Sequence, residues 1–154
     1  DGNEEEMASL RTKINNLPSV SDLNLVVVNP PYEISTPEVY RNFSGPTTAP
    51  ATDDLIPLLK QQNAQQLVTR LNNDLGAVAV SLYPELAELK ERVTSLTTKA
   101  LISGSGPTVL GFVETQQKAQ QTVDQLRAEL TSDYQITSAQ TVDSGLEAEI
   151  SPHR

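Results

Sequence analysis

The chain's pattern predicts an α+β fold of the ferredoxin-like, split β-α-β kind: an antiparallel sheet with helices on one face. Three observations carry this. The periods run strand, helices, strand, strand, helix, strand. Two strand-like runs flank one short Gly/Ser loop, as in a hairpin. The other connections are long enough to hold crossover helices, and right-handed crossovers in both halves interleave the strands.

The elements follow in order. Residues 1–7, "DGNEEEM", are acidic and polar, and are expected to be a disordered arm or an expression remnant, with Met7 a candidate start. One domain is expected over 8–150, and 151–154 are a tail. Leu10, Ile14 and Leu17 have helical spacing, although the same stretch suits a strand entering the domain. "LNLVVVN", Leu23–Asn29, is β-branched and apolar, stopped by Pro30 and Pro31, and reads as a strand buried on both faces. In "EISTPEVYRNF", Ser35 or Thr36 caps a helix, Pro37 suits its first position, and Glu38 meets the dipole in the first turn.

Ser44–Asp54 is rich in Pro, Thr and Gly and reads as a surface connection. From Leu55 to Leu75 the apolar residues Ile56, Leu59, Leu67, Val68, Leu71 and Leu75 predict one amphipathic helix. Asn72, Asn73 and Asp74 read as a cap at its end. A second stripe, Val78 to Leu96, is interrupted by Pro84, which predicts a kink or a fresh helix start. "KALIS" (99–103) and "TVLGFVE" (108–114) read as strands. Thr115 caps a helix with the stripe Ala119, Val123, Leu126 and Leu130, and "YQITSAQTV" (134–142) reads as the last strand. The tail after it has room for a further short edge strand.

Composition narrows the function. The 154 residues are 37% hydrophobic and 4% aromatic, so the core is expected to be Leu, Val, Ile and Ala. A net charge of −9 opposes binding to nucleic acid or anionic membranes. No Cys and a single His, His153, exclude thiolate zinc sites, Cys nucleophiles and a Ser-His-Asp triad in the domain body. No run reaches the ~18 apolar residues of a membrane span, and the start lacks the basic and apolar regions of a signal peptide. A cytoplasmic location is therefore expected.

One stretch exceeds ordinary structure: "LISGSGPTVLGF", Leu101–Phe112. Pro107-Thr108 stands where a Walker A loop has Lys-Ser/Thr, and Val109 where a dinucleotide fingerprint has its third Gly. Two readings remain. The loop is a hairpin in which Gly104 and Gly106 supply positive φ while Ser103 and Ser105 bond locally. Or its backbone N–H groups, freed of side chains, converge on an anion.

The same stretch resembles the third motif of the GHMP kinase superfamily. "VVVNPPYEISTPEVYRNF" and "LNNDLGAVAVSLYPELAELKERV" are similar to the branch that phosphorylates a cytidine-diphosphate-linked methylerythritol. The three matches lie in order between Leu23 and Val142 and resemble the C-terminal half of such a kinase. The resemblance implies a GHMP kinase C-terminal domain, itself ferredoxin-like. It puts Ser103, Gly104, Ser105, Gly106 and Thr108 at the phosphate-facing cleft and Thr36, Pro37 and Tyr40 at the cytidine end of the substrate. It implies ATP and Mg²⁺ for the full-length enzyme, and an N-terminal kinase half as partner. The family's main phosphate loop, its Lys-Asn segment and its catalytic Asp region are not in this sequence. No catalytic or metal-binding residue is thus expected here, and this chain alone is expected neither to bind the cofactors nor to turn over. An exposed apolar face beside the loop, around Val109 and Leu110, is expected to seat the other half or to support a dimer. Homoserine or mevalonate-type kinases of the same superfamily, and a non-catalytic ferredoxin-like interaction module, are the competing readings.

Overall fold

A computed structural model describes Val20 and residues 22–45, 52–61 and 63–142. The expectations for the arm at 1–7, for 8–17 and for the tail beyond 142 lie outside the described residues. Four strands form one sheet: β1 Asn24–Asn29, β2 Lys99–Ile102, β3 Val109–Val113 and β4 Gln135–Gln140. The spatial order is β2-β3-β1-β4, with every adjacent pair antiparallel. β1 and β2 thus run parallel with β3 between them, and β3 and β4 run parallel with β1 between them. This is the interleaving predicted from the order of periods.

Among the described residues six helices connect the strands: α1 Thr36–Arg41, α2 Thr52–Lys60, α3 Ala64–Arg70, α4 Asp74–Leu82, α5 Pro84–Leu96 and α6 Gln116–Glu129. The single helix predicted over 55–75 is three pieces. Asn63 accepts from Gln66 N at 3.1 Å and starts α3 afresh. Leu71, at φ −58 and ψ 139, leaves helical geometry before α4. The apolar spacing survives because each short helix turns its own stripe inward, so periodicity alone does not show the breaks. At Pro84 the expected interruption is a fresh start: Tyr83 ends α4 and is also the N-cap of α5. Thr115 caps α6 as predicted, its hydroxyl accepting from Lys118 N at 3.1 Å.

The pleat divides the sheet. Val26, Val28, Ala100, Ile102, Val109 and Ile136 form one buried cluster with Leu86, Leu89 and Val93 of α5 and Ala119, Val123 and Leu126 of α6. The two crossover helices thus cover one face, and Arg92 of α5 pairs bidentately with Glu129 of α6 at the surface. On the other face Phe112 is buried, but Leu25, Val27, Leu101 and Leu110 are only half-buried. β1 is therefore fully buried on one face, not both. The inserted helices also reach this second face: Ala64, Val68 and Thr69 of α3 line an open cleft with Leu23 and Phe112. The Lys99 ammonium, whose residue pairs across the strands with Phe112, donates to Thr69 O at 2.7 Å. Val109 is fully buried under the helices, so the expected apolar patch beside the loop does not include it. Leu110, on the opposite face, is half-buried.

Tyr32 follows the two prolines after β1. Its hydroxyl is buried and has no partner among the described residues. Burial, then Tyr134 and Glu85, push the phenol up to about 12. The folded state therefore keeps this proton at pH values where the unfolded chain loses it. The neutral phenol's contribution is complete below the unfolded value of about 10 and is lost as pH rises through the folded value. Tyr32→Phe is expected to gain about 1 kcal/mol at neutral pH by removing an unpartnered buried hydroxyl. It should also flatten this part of the alkaline decline. Urea midpoints across the alkaline range test both; a less stable variant at neutral pH would contradict the burial argument.

Candidate functional site

The two segments singled out in the sequence meet at the end of the sheet where β1 and β2 finish and β3 begins. Ile102 pairs with Val109 across the strands, and Ser103 N donates to Thr108 O at 2.9 Å. Gly106 N then donates to Ser103 O at 2.9 Å. The loop is thus a hairpin connection, and both glycines have the positive φ expected: +58° at Gly104 and +97° at Gly106. Their surroundings differ. A Cβ at Gly104 would meet nothing within 4 Å, whereas one at Gly106 would lie 2.7 Å from Ile34 Cδ1 and 3.2 Å from Ile102 Cγ2. Gly106 is packed against the body; Gly104 is the exposed tip.

The serines do not follow the local pattern expected of both. The Ser105 hydroxyl lies 2.8 Å from the Thr36 hydroxyl, across 69 positions of sequence. This single bond joins the two groups of predicted site residues, because Thr36 opens α1. The Thr108 hydroxyl donates to Asn29 Oδ1 at 2.9 Å and ties the loop's exit to the end of β1. Ser103 is exposed, and only its backbone bonds are made within the hairpin.

α1 is short, and its neighbours position it. Ser35, not Thr36, is the N-cap, accepting from Glu38 N. Val39 is fully buried and anchors the helix. Pro37 is exposed on the first turn, and its carbonyl accepts from Arg41 Nε at 3.3 Å. Tyr40, one turn beyond Thr36, is 58% exposed, an unusual place for a large aromatic ring. Tyr83, at the α4–α5 junction, holds the start of the helix: its hydroxyl donates to Glu38 Oε2 at 2.5 Å and accepts from Ser35 N at 3.1 Å. The bond to Glu38 holds this phenol above its ordinary range, while the Ser35 N–H acts in the opposite direction.

Sequence reasoning missed Tyr83, Asn29 and above all Asn73. Asn73 occupies the N-cap position of α4 but makes no side-chain cap bond. Its Nδ2 donates instead to Ile102 O and to Gly104 O, both at 2.6 Å. No spacing rule links residues 29–31 positions apart, so no signal in the sequence pointed to this clamp. Among the described residues no group of three or more His, Cys, Asp or Glu is placed to hold a metal ion. No helix among them is long and apolar enough to cross a membrane.

A four-stranded split β-α-β sheet with a glycine-rich β2–β3 loop beside a Thr-Pro helix start defines a class. Residues 55–132 match the family model described as GHMP kinases C terminal, and the chain belongs to that family. It is similar to 4-diphosphocytidyl-2-C-methyl-D-erythritol kinase of Pelotomaculum thermopropionicum, at 36% identity over 128 residues, 80% of this chain and 43% of that protein. Against the kinase of the same name from Clostridium botulinum the identity is 33% over 118 residues, 75% of this chain and 42% of that protein. A crystal structure of 4-(cytidine 5'-diphospho)-2C-methyl-D-erythritol kinase superposes with TM-score 0.60 at 26% identity, over 78% of this chain and 44% of that one. Homoserine kinase from Cytophaga hutchinsonii shares the fold, with TM-score 0.56 at 17% identity over 83% of this chain and 43% of that one. The chain spans about two-fifths of the length of the curated relatives it matches.

Proposed function

We propose that this domain is the C-terminal, substrate-binding part of an ATP-dependent kinase that phosphorylates the 2-hydroxyl of 4-diphosphocytidyl-2-C-methyl-D-erythritol, in isoprenoid precursor synthesis. The observation that carries the reading is the Thr36–Ser105 bond, which sets the exposed Tyr40 helix and the glycine-rich loop beside one another. Tyr40 offers a ring face to the cytosine, Thr36 and Pro37 border it, and the loop's N–H groups face the phosphates. Sequence similarity favours this substrate over homoserine, since the homoserine kinase shares only the fold at 17% identity. A base-stacking aromatic also has no purpose for homoserine or mevalonate.

Phosphoryl transfer is positioning plus charge stabilisation, and ATP with Mg²⁺ supplies the phosphoryl group and its neutralising charge. Among the described residues no group of three or more His, Cys, Asp or Glu is placed to hold a metal ion. Its own residues bind and orient: the ring and the Thr-Pro turn fix the base, and the hairpin fixes the phosphates. The partner that this reading requires is the N-terminal kinase half. A cytoplasmic setting belongs to it, supported by the water-soluble, charged substrate class. Dimerisation would use an apolar face beside the loop, where Leu110 is half-buried and Val109 is not available.

Saturation-transfer NMR of this chain with cytidine tests the base site. Contacts to the cytosine ring are expected, with Tyr40→Ala weakening them about tenfold, as for loss of one base–aromatic stack. Equal contacts in both proteins, or none in either, would remove the assignment of the base site.

A further inference from the structure

We infer that Asn73 is a positioning residue for the glycine-rich loop, turning the Gly104–Ser105 peptide so that the Ser105 N–H faces an anionic ligand. This rests on the reading of the loop as the phosphate-facing turn of a kinase.

The argument starts from a bond that Asn73 forgoes. An Asn at an N-cap ordinarily accepts from a first-turn N–H, which stabilises the helix start. Here the side chain gives up that bond and sends both amide hydrogens to loop carbonyls, Ile102 O and Gly104 O. Gly76, one turn into α4, leaves the room: a Cβ there would lie 3.1 Å from Asn73 Nδ2 and 2.9 Å from Ile102 Cβ.

Peptide planarity then sets the other side of the loop. In a trans peptide the N–H points opposite to the C=O. With Gly104 O drawn inward to Asn73, the Ser105 N–H points outward. The N–H groups of Ser103 and Gly106 are used inside the hairpin. That of Ser105 makes no backbone bond among the described residues, while its hydroxyl is fixed by Thr36. Asn73 thus presets a donor that a free glycine-rich tip would have to order on binding.

Asn73→Asp keeps the shape and replaces two donors with acceptors facing two carbonyls. Amide-resolved NMR of the full 154-residue chain is titrated separately with pyrophosphate and with cytidine. In the wild type, the Asn73 amide protons should show couplings across hydrogen bonds to the Ile102 and Gly104 carbonyls, and pyrophosphate should shift the Ser105 amide. In Asn73→Asp, and in Asn73→Ala should the first not fold, pyrophosphate affinity should fall at least tenfold with cytidine affinity unchanged. A merely structural Asn73 would lower both together or neither. Cytidine binding with unaltered pyrophosphate binding in the variants overturns the inference and leaves the base site standing. Wild-type pyrophosphate shifts lost in the variants, with no cytidine contact, uphold the inference and remove the base site. Absent couplings to the two carbonyls, or no wild-type response of Ser105 to pyrophosphate, overturn the inference.

Discussion

Gly106→Ala is expected to destabilise the domain by about 3 kcal/mol, seen as a lower urea midpoint at unchanged slope. Two costs combine. At φ +97° an L residue sits in a region suited to glycine, costing about 1–3 kcal/mol. The new Cβ also meets Ile34 Cδ1 at 2.7 Å, with Ile102 Cγ2 and Leu86 Cδ2 at 3.2 and 3.4 Å behind it. The nearest atom is the end of a side chain, so the steric part is partly relievable. Ile34→Val removes that Cδ1 and, combined with Gly106→Ala, should recover the steric share while leaving the backbone share. Gly104→Ala is the control: φ is +58° and the Cβ would meet nothing within 4 Å, so about 1 kcal/mol is expected. Equal losses at the two glycines would show that packing against the body does not set the loop.

Leu86→Ala is expected to cost about 3–4 kcal/mol. Leu86 is fully buried in α5 and belongs to the cluster joining the sheet to both crossover helices. Truncation loses its transfer free energy and leaves a cavity that Val26, Val28 and Val109, held in a sheet, cannot collapse to fill. The same side chain lies beneath Gly106, so the variant should also lose protection at the loop amides in hydrogen exchange. A loss below about 1 kcal/mol would mean that this part of the core repacks freely.

The elements were legible where one local rule acted alone. "LNLVVVN" between a polar run and Pro30-Pro31 could only be a strand, and Thr115 before a stripe of period three to four could only begin a helix. The order of these elements then left few topologies. The helix breaks near Asn63 and Leu71 were not legible, because α2, α3 and α4 each bury a stripe in nearly continuous phase. Val109 was misjudged for a related reason. A run of apolar residues beside a loop does not state which of its two faces the helices take, and the pleat put Val109 inside and Leu110 out.

The candidate site divides in the same way. Positive φ at Gly104 and Gly106 follows from residue type in a tight turn, and a Thr-Pro helix start from capping chemistry. Both are local, and the sequence by itself determined them, along with the strand order and the split β-α-β class. Only the tertiary structure decided that Ser105 reaches Thr36, that Thr108 reaches Asn29, and that Asn73 abandons its cap to hold Ile102 and Gly104. Each of these bonds joins positions 29 to 79 apart, so none leaves a periodic trace. The chain's polar side chains have many possible partners, and the packing of the sheet against α4 and α5 selects among them. Folding sets those distances, and through them the direction in which the loop's donors point.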